Sequence, residues 1–248
     1  MRYLVEILEY FGGISQLAWR LLKLLVRGRV NLSLLAHQMV LLGVNSIPIS
    51  VLVLCFAGSV YTFVLADELA QRGARSLVGG LLLLILLKEL IPVFTALLLS
   101  AKIGAAITSE IGTMKISEQL DALRALSTDQ DWYITLPRVL AGVLMIPIIA
   151  VFAGYGGWYA GFYTGHVQTG LSYQSFVQGA QSMVGMDDWI ECLVKCVFFA
   201  GVIVMTACYF GYRAEGGAAG VGRAVTQGVV INILMIFVYD LVITAILD

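Results

Sequence analysis

Apolar and polar positions along this chain alternate on two length scales, and the longer one sets the architecture. Five apolar runs stand out, approximately Val40 to Ala66, Leu77 to Leu99, Trp132 to Phe162, Ile190 to Tyr209 and Thr226 to Leu247. A hydrocarbon core needs about 20 such residues per helix, so each run is read as a membrane span. The third is long and contains Pro147, which predicts a tilt or a kink. Ahead of the spans, Leu4, Ile7, Leu8, Phe11, Leu17, Leu21, Leu24 and Leu25 recur at helical spacing among Glu6, Glu9, Arg20, Lys23, Arg27 and Arg29. An apolar stripe beside a basic face predicts a helix over residues 1–30 lying in the membrane interface. A helix packed on the protein's own cytoplasmic surface is the alternative. The fold class expected is all-α and integral to a membrane: this interfacial helix, then a five-span bundle over residues 40–247. No repeat or low-complexity linker divides it, so one domain is expected over 1–248.

Two connections are patterned as well. From Lys102 to Pro137 the chain is too long for a plain turn. Ile111, Met114, Leu120, Leu123 and Leu126 leave an apolar stripe there, with Glu118, Asp121 and Arg124 off it. That predicts a short amphipathic helix between spans two and three. Thr128-Asp129-Gln130-Asp131 has capping-box spacing, with Asp in place of the usual Glu or Gln, and marks the start of the third span. The other long connection, His166 to Asp188, carries Gln168, Gln174, Gln178 and Gln181 and predicts a surface loop or short helix.

Composition narrows the class. Hydrophobic residues make up 60% of the chain and charged ones 12%, where a soluble domain has about 25% charged. A net charge of -1 gives no electrostatic case for nucleic acid. Cys55, Cys192, Cys196 and Cys208 lie inside apolar runs without a C-x-x-C pair, as small buried hydrophobes do. The N-terminus opens on a charged amphipathic stretch, so the first span is expected to act as the targeting signal.

Lysine and arginine set the orientation. With the N-terminus inside, the cytoplasmic side holds Arg2, Arg20, Lys23, Arg27, Arg29, Lys102, Lys115, Arg124, Arg138, Arg213 and Arg223, and the far side only Arg72 and Arg75. Five spans then put the C-terminus outside.

Signatures of catalysis are missing. Gly217-Ala218-Ala219-Gly220-Val221-Gly222-Arg223-Ala224 imitates a P-loop in glycine spacing, but Arg223 replaces the phosphate-binding lysine and Ala224 the magnesium-binding hydroxyl. H-E-x-x-H and G-x-S-x-G are absent from the sequence. Charges inside the spans carry more information, since each costs about 2.5–3.5 kcal/mol unless paired or solvated. Lys88 and Glu89 sit near the middle of the second span, and Pro92 deprives the Lys88 carbonyl of its helical donor. A polar cavity and a structural ion pair are both open readings. Asp240 in the last span lies at a depth that makes it a candidate partner for Lys88, while Glu191 and Lys195 have the i, i+4 order of a local pair near the outer end of span four. Gly157, Gly161 and Gly165 form a small-residue ridge that permits close helix contact.

The run Glu110-Ile111-Gly112-Thr113-Met114-Lys115-Ile116-Ser117-Glu118-Gln119-Leu120-Asp121-Ala122-Leu123, followed by Pro137-Arg138, resembles the signature of MlaE-type permeases. Leu87-Lys88-Glu89-Leu90-Ile91-Pro92 and Gly104-Ala105-Ala106 resemble that family too, whose members are the membrane subunits of lipid-transporting ABC systems. The resemblance implies a single ABC-transporter permease domain whose Glu110–Leu126 region is a coupling helix docked on a cytoplasmic ATPase. Glu110, Gly112, Met114, Glu118, Gln119, Leu120 and Leu123 would serve that contact, the apolar stripe supplying area and the charged flank register. It also implies a homodimer enclosing an apolar phospholipid cavity, with Lys88 and Glu89 near it. Leu83, Leu86 and Asp240 complete the cavity candidates. An MCE-type lipid-binding protein would sit on the outer face. The chain itself would hold no cofactor, with ATP and magnesium bound by the ATPase, and the absence of a transit peptide favours a bacterial inner membrane, with the C-terminus periplasmic.

Three functions are thus in play. The first is the permease subunit of an ATP-driven phospholipid transporter, non-catalytic in itself. The second is a secondary transporter driven by an ion gradient through Glu89 and Asp240. The third is a scaffold that only anchors an outer lipid carrier.

Overall fold

The computed structural model describes residues 2–28 and 30–247. Arg29 and the side chains of residues 2–7, which entered the amphipathic and charge patterns, lie outside the described residues. Helix α1 (Arg2–Val26) leads to Asn31, whose side-chain oxygen accepts from the Ser33 and Leu34 amides at 3.1 and 3.2 Å and so starts α2 (Leu32–Gln38). A π turn (Met39–Gly43) and a 3-10 turn (Val44–Ser46) join α2 to α3 (Ile47–Gln71), which completes span one, Leu32–Gln71. Span two, Arg75–Ile116, is one long helical path: α4 (Val78–Ile85), a π segment (Leu86–Phe94), α5 (Thr95–Leu99), a second π segment (Ser100–Gly104) and α6 (Ala105–Ile116). Glu118, in the left-handed region at φ 61°, turns the chain into α7 (Gln119–Ala125). Span three, Asp131–Thr169, opens with a π turn (Asp131–Thr135) and continues as α8 (Leu136–Thr169). Ser172 caps α9 (Tyr173–Met183), and the remaining spans are α10 (Met186–Arg213) and α11 (Gly217–Leu247). Five helices long and apolar enough to cross a membrane, and no strand among the described residues, match the expected class.

The spans outrun their apolar cores. Span two was expected to end near Leu99, yet its helix continues to Ile116. Backbone hydrogen bonding does not stop where hydrophobicity does, so the predicted amphipathic helix is two pieces, α6 as the tail of span two and the seven-residue α7. The cap of span three also differs from the capping box. Asp129 Oδ1 accepts from the Asp131 amide at 2.9 Å, and Asp131 instead faces Arg20 at 3.2 Å.

Lipid offers no hydrophobic drive between helices, so packing here relies on close backbone approach. Spans one and three meet at Gly58 and Gly157. A Cβ on Gly58 would land on the Gly157 carbonyl, and one on Gly157 would lie 2.7 Å from the Leu54 carbonyl oxygen. The connection between spans three and four is the helix α9, laid against the start of span two, where Gly79 and Gly80 abut the Phe176 and Gly179 backbone. Inside the bundle, one apolar cluster surrounds Leu54, Leu82, Leu87 and Phe176 toward the α9 end, and another surrounds Leu99, Ile107, Ile111 and Ile203 toward the α7 end.

Helix α1 combines both sequence alternatives. Leu17, Leu21 and Leu24 are buried in the α7-end cluster, Tyr10 Oη shares a 2.7 Å hydrogen bond with Thr206 Oγ1, and Arg213 pairs with Glu9 at 3.3 Å. Burial raises the Tyr10 hydroxyl above its ordinary pKa and keeps it a neutral phenol. Leu8, Trp19, Leu22 and Val26 remain exposed, so the helix packs on the bundle while still presenting apolar surface outward.

Candidate functional site: an ion cluster inside the spans and a two-sided projection

Span two is wound as π-helix through Leu86–Phe94, where Pro92 lacks an amide hydrogen. The carbonyl of Lys88 is reached by a side chain from another span: Lys195 Nζ donates to it at 2.7 Å. Lys195 is fully buried and also contacts Glu89 at 3.4 Å, Glu191 at 3.3 Å and Asp240 at 3.2 Å. Lys88 Nζ pairs with Glu191 at 3.2 Å. Spans two, four and five thus converge on five ionisable side chains. The sequence proposed Asp240 as a candidate partner for Lys88; in the structure Lys195 is bonded both to the Asp240 carboxylate and to the Lys88 backbone. Lys195 is therefore more than the local partner of Glu191. If all five groups are ionised the cluster carries three negative and two positive charges, -3 + 2 = -1. Glu89, with 49% of its side chain exposed, is its most open member.

The proposed cavity leucines fall elsewhere. Leu86 is fully buried in the chain's own core, because the helix turns it away from the open side, so it lines no open surface. Leu83 lines a separate apolar groove of about 370 Å³ with Ile91, Val151, Tyr155, Trp158 and Val184.

At the α7 end the apolar stripe has the predicted period and faces inward. Ile111 and Leu120 are buried, Met114 and Leu123 half-buried, all against the bundle, and of the stripe only Leu126 is open, at 75%. Gly112 is internal as well: a Cβ there would meet Ala214 Cβ at 3.1 Å and Val221 Cγ1 at 3.2 Å. The expectation that this stripe supplies the outward contact is therefore corrected. The outward face is Glu118, Gln119, Asp121, Ala122, Ala125 and Leu126. Glu110 is partly exposed but ion-paired, its Oε1 lying 2.7 Å from Arg138 Nη2. Gln130 Nε2 donates to the Leu120 carbonyl at 2.6 Å and ties α7 to the start of span three. Beside it opens a polar cavity of about 530 Å³ lined by Arg20, Lys115, Arg124, Asp129 and Tyr212.

Two groups escaped the sequence reading. Lys195 was absorbed by its i, i+4 neighbour, and Arg138 entered only as an orientation charge and as part of the family signature. The signal for Arg138 was its position beside Pro137, inside the helical start of an apolar run.

Five helices long and apolar enough to cross a membrane, with a cluster of five ionisable side chains shared among three of them, define a multi-pass membrane protein. Comparison with known proteins gives the rest. Residues 35–246 match the family described as Permease MlaE, and the chain belongs to that family. It is 36% identical to a probable ABC transporter permease protein of a Synechocystis species, over 86% of this chain and 81% of that protein. A probable ABC transporter permease protein of Pyropia yezoensis is 32% identical, over 96% and 90% respectively, and one of Rickettsia typhi 28%, over 99% and 95%. The chain is thus an ABC-type permease subunit, a role that implies an ATPase partner.

Proposed function

We propose that this chain is the permease subunit of an ATP-driven phospholipid transporter in a bacterial inner membrane. Two copies enclose a lipid cavity, a separate ATPase binds the α7 end on the cytoplasmic side, and an MCE-type lipid-binding protein sits on the α9 side. The N-terminus is then cytoplasmic and the C-terminus periplasmic. ATP and magnesium belong to the ATPase, and the permease holds no cofactor of its own.

The observation that carries this reading is the two-sided projection over residues 105–130. Its inner face is locked into the bundle by Ile111, Gly112 and Leu120, while Glu118, Gln119, Ala122 and Leu126 face outward. A firmly held projection with a free outer face suits a docking element. Spans one and five support a second copy, since Phe56, Val60 and Phe63 on one and Leu234, Phe237 and Leu241 on the other are exposed. Apolar walls with one polar focus at Glu89 suit an amphipathic lipid better than a hydrated ion. Because α6 is the continuation of span two, a displacement of the projection reaches the level of Glu89 along one helical path.

The test is purification from native membranes in mild detergent, comparing wild type with a Glu118→Lys, Leu126→Asp double variant at two outward positions. Co-purification of an ATPase and phospholipid with the wild type, and loss of the ATPase alone from the variant, is the expected result. A chain that comes out without an ATPase, and in vesicles moves substrate along an ion gradient, would replace this reading with the Glu89 and Asp240 carrier.

A further inference from the structure

The projection is held unevenly. Helix α6 packs closely on α10 and α11, where Gly211 abuts Ile111 and Gly112 abuts Ala214 and Val221. It does not pack in that way on α8. Toward span three its tie is the salt bridge between Glu110 and Arg138, at 2.7 Å within the charge-assisted range. The two ends of that bridge differ in setting. Only 6% of the Arg138 side chain is exposed; its Nη1 donates to the Ile134 carbonyl at 2.9 Å, and its Nε finds no acceptor among the described residues. Glu110 is 56% exposed, with water on one side and the guanidinium on the other. A buried arginine anchored to its own helix, holding a carboxylate on a helix whose close packing lies on α10 and α11 instead, is the geometry of a tether.

We infer that the Glu110–Arg138 bridge is the tie through which displacement of α6 and α7 reaches span three, with Glu110 a positioning residue that does not itself touch the ATPase. The inference rests on the permease reading above. Span three is in turn locked to span one by the backbone contact at Gly157 and Gly58, so a pull on Arg138 moves the two together. The exposed face of span one, with Phe56 and Phe63, therefore follows the projection even though it lies in a different part of the sequence. Without the bridge, α6 still moves with span two, and span three keeps its links to α7 at its first turn, the connecting chain and the Gln130–Leu120 hydrogen bond, so that less of the displacement reaches spans one and three.

The experiment uses the whole complex with its ATPase, reconstituted in phospholipid vesicles, and reads three quantities: ATPase retained on purification, ATP hydrolysed, and lipid moved per ATP. Glu110→Gln keeps the shape and removes the charge. Since a lone buried guanidinium is destabilising in itself, the double variant Glu110→Gln, Arg138→Gln is run beside it, removing both charges together. Retention and hydrolysis should stay near wild type, while lipid moved per ATP falls about tenfold, the size of an ordinary coupling between sites. Should Glu110→Gln fail to fold, the double variant decides. Lipid moved per ATP at the wild-type level in a folded variant overturns the tether and leaves the bridge a staple. Loss of the ATPase from Glu110→Gln, with the fold intact, also overturns it by making Glu110 a partner contact. A wild-type chain that retains no ATPase removes the permease reading itself, and this inference with it.

Discussion

Replacing Lys195 by methionine tests the ion cluster most directly, because the substitution keeps the length of the side chain and removes only its charge and donors. Lys195 is fully buried and bonds to three carboxylates at 3.2–3.4 Å and to the Lys88 carbonyl at 2.7 Å. Its loss takes the fully ionised cluster from -3 + 2 = -1 to -3 + 1 = -2 and leaves Lys88 as its only cation. Removing one partner of a buried ion pair costs about 3–5 kcal/mol. Glu89 is half-exposed and contributes little to that figure; Glu191 and Asp240, at 7% and 13% side-chain exposure, carry it. For a chain of this size about 3–5 kcal/mol corresponds to a fall of roughly 6–20 °C in melting temperature. Asp240→Asn is the control, since it leaves the cluster neutral, -2 + 2 = 0, and a smaller fall is expected. The assay is the apparent temperature at which detergent-solubilised protein loses its monodisperse peak in size-exclusion chromatography, for wild type, both single variants and the Lys195→Met, Asp240→Asn double. The double variant should melt above Lys195→Met alone. A Lys195→Met protein melting within about 2 °C of wild type would refute the claim that this lysine holds three spans together.

Three further outcomes are expected. Gly157→Ala places a Cβ against the Leu54 backbone and should cost about 1–3 kcal/mol, whereas Gly165→Ala meets only side-chain atoms, the Thr62 methyl at 3.2 Å and Leu171 Cδ2 at 3.6 Å, and should cost less; melting of the two purified variants compares them. Leu120→Ala empties a buried position and should destabilise by about 2–5 kcal/mol. Leu126→Ala, at an exposed position, should stay within about 0.5 kcal/mol while weakening retention of the ATPase, which a pull-down reads. In the proposed orientation, single cysteines at Leu126 and Gln178 should react with an impermeant thiol reagent from opposite sides of sealed vesicles; labelling of both from one side would contradict the topology.

The five spans were legible because a bilayer leaves a helix little freedom of composition over the hydrocarbon depth. Their ends were not, since residues 100–116 of span two stay helical in a stretch too polar to belong to the apolar run. The π segments left no trace in periodicity, and only Pro92 marked one of them. The stripe of Ile111, Leu120 and Leu123 shows what period can and cannot say. It established that one face is buried, but the neighbour that buries it is the bundle itself, and the outward residues are mostly ones the stripe leaves out, Glu118, Gln119, Asp121 and Ala122, with Leu126 at its end. Lys88 and Glu89 announced themselves by the cost of charge in a membrane. Lys195 did not, because Glu191 one turn away offered a sufficient partner within the same helix, and the rotation of span four that brings Glu89 and Asp240 to it is set by packing between spans. Glu110 and Arg138 stood in the family signature, but nothing in their spacing, with a whole connection between them, pointed to a 2.7 Å bridge.

The order in which the cluster's charges are synthesised has a consequence for how the chain enters the membrane. Span two brings Lys88 and Glu89, and span four brings Glu191 and Lys195. Two positive and two negative groups are therefore present before the last span exists, and a nascent chain of four inserted spans is already electrically balanced. Asp240 arrives afterwards as a surplus carboxylate, on the span whose apolar stretch is the least buried of the five, at 11%. Span five can join the bundle late without stranding an unmatched charge among the other four, and Asp240 then meets Lys195 already in place.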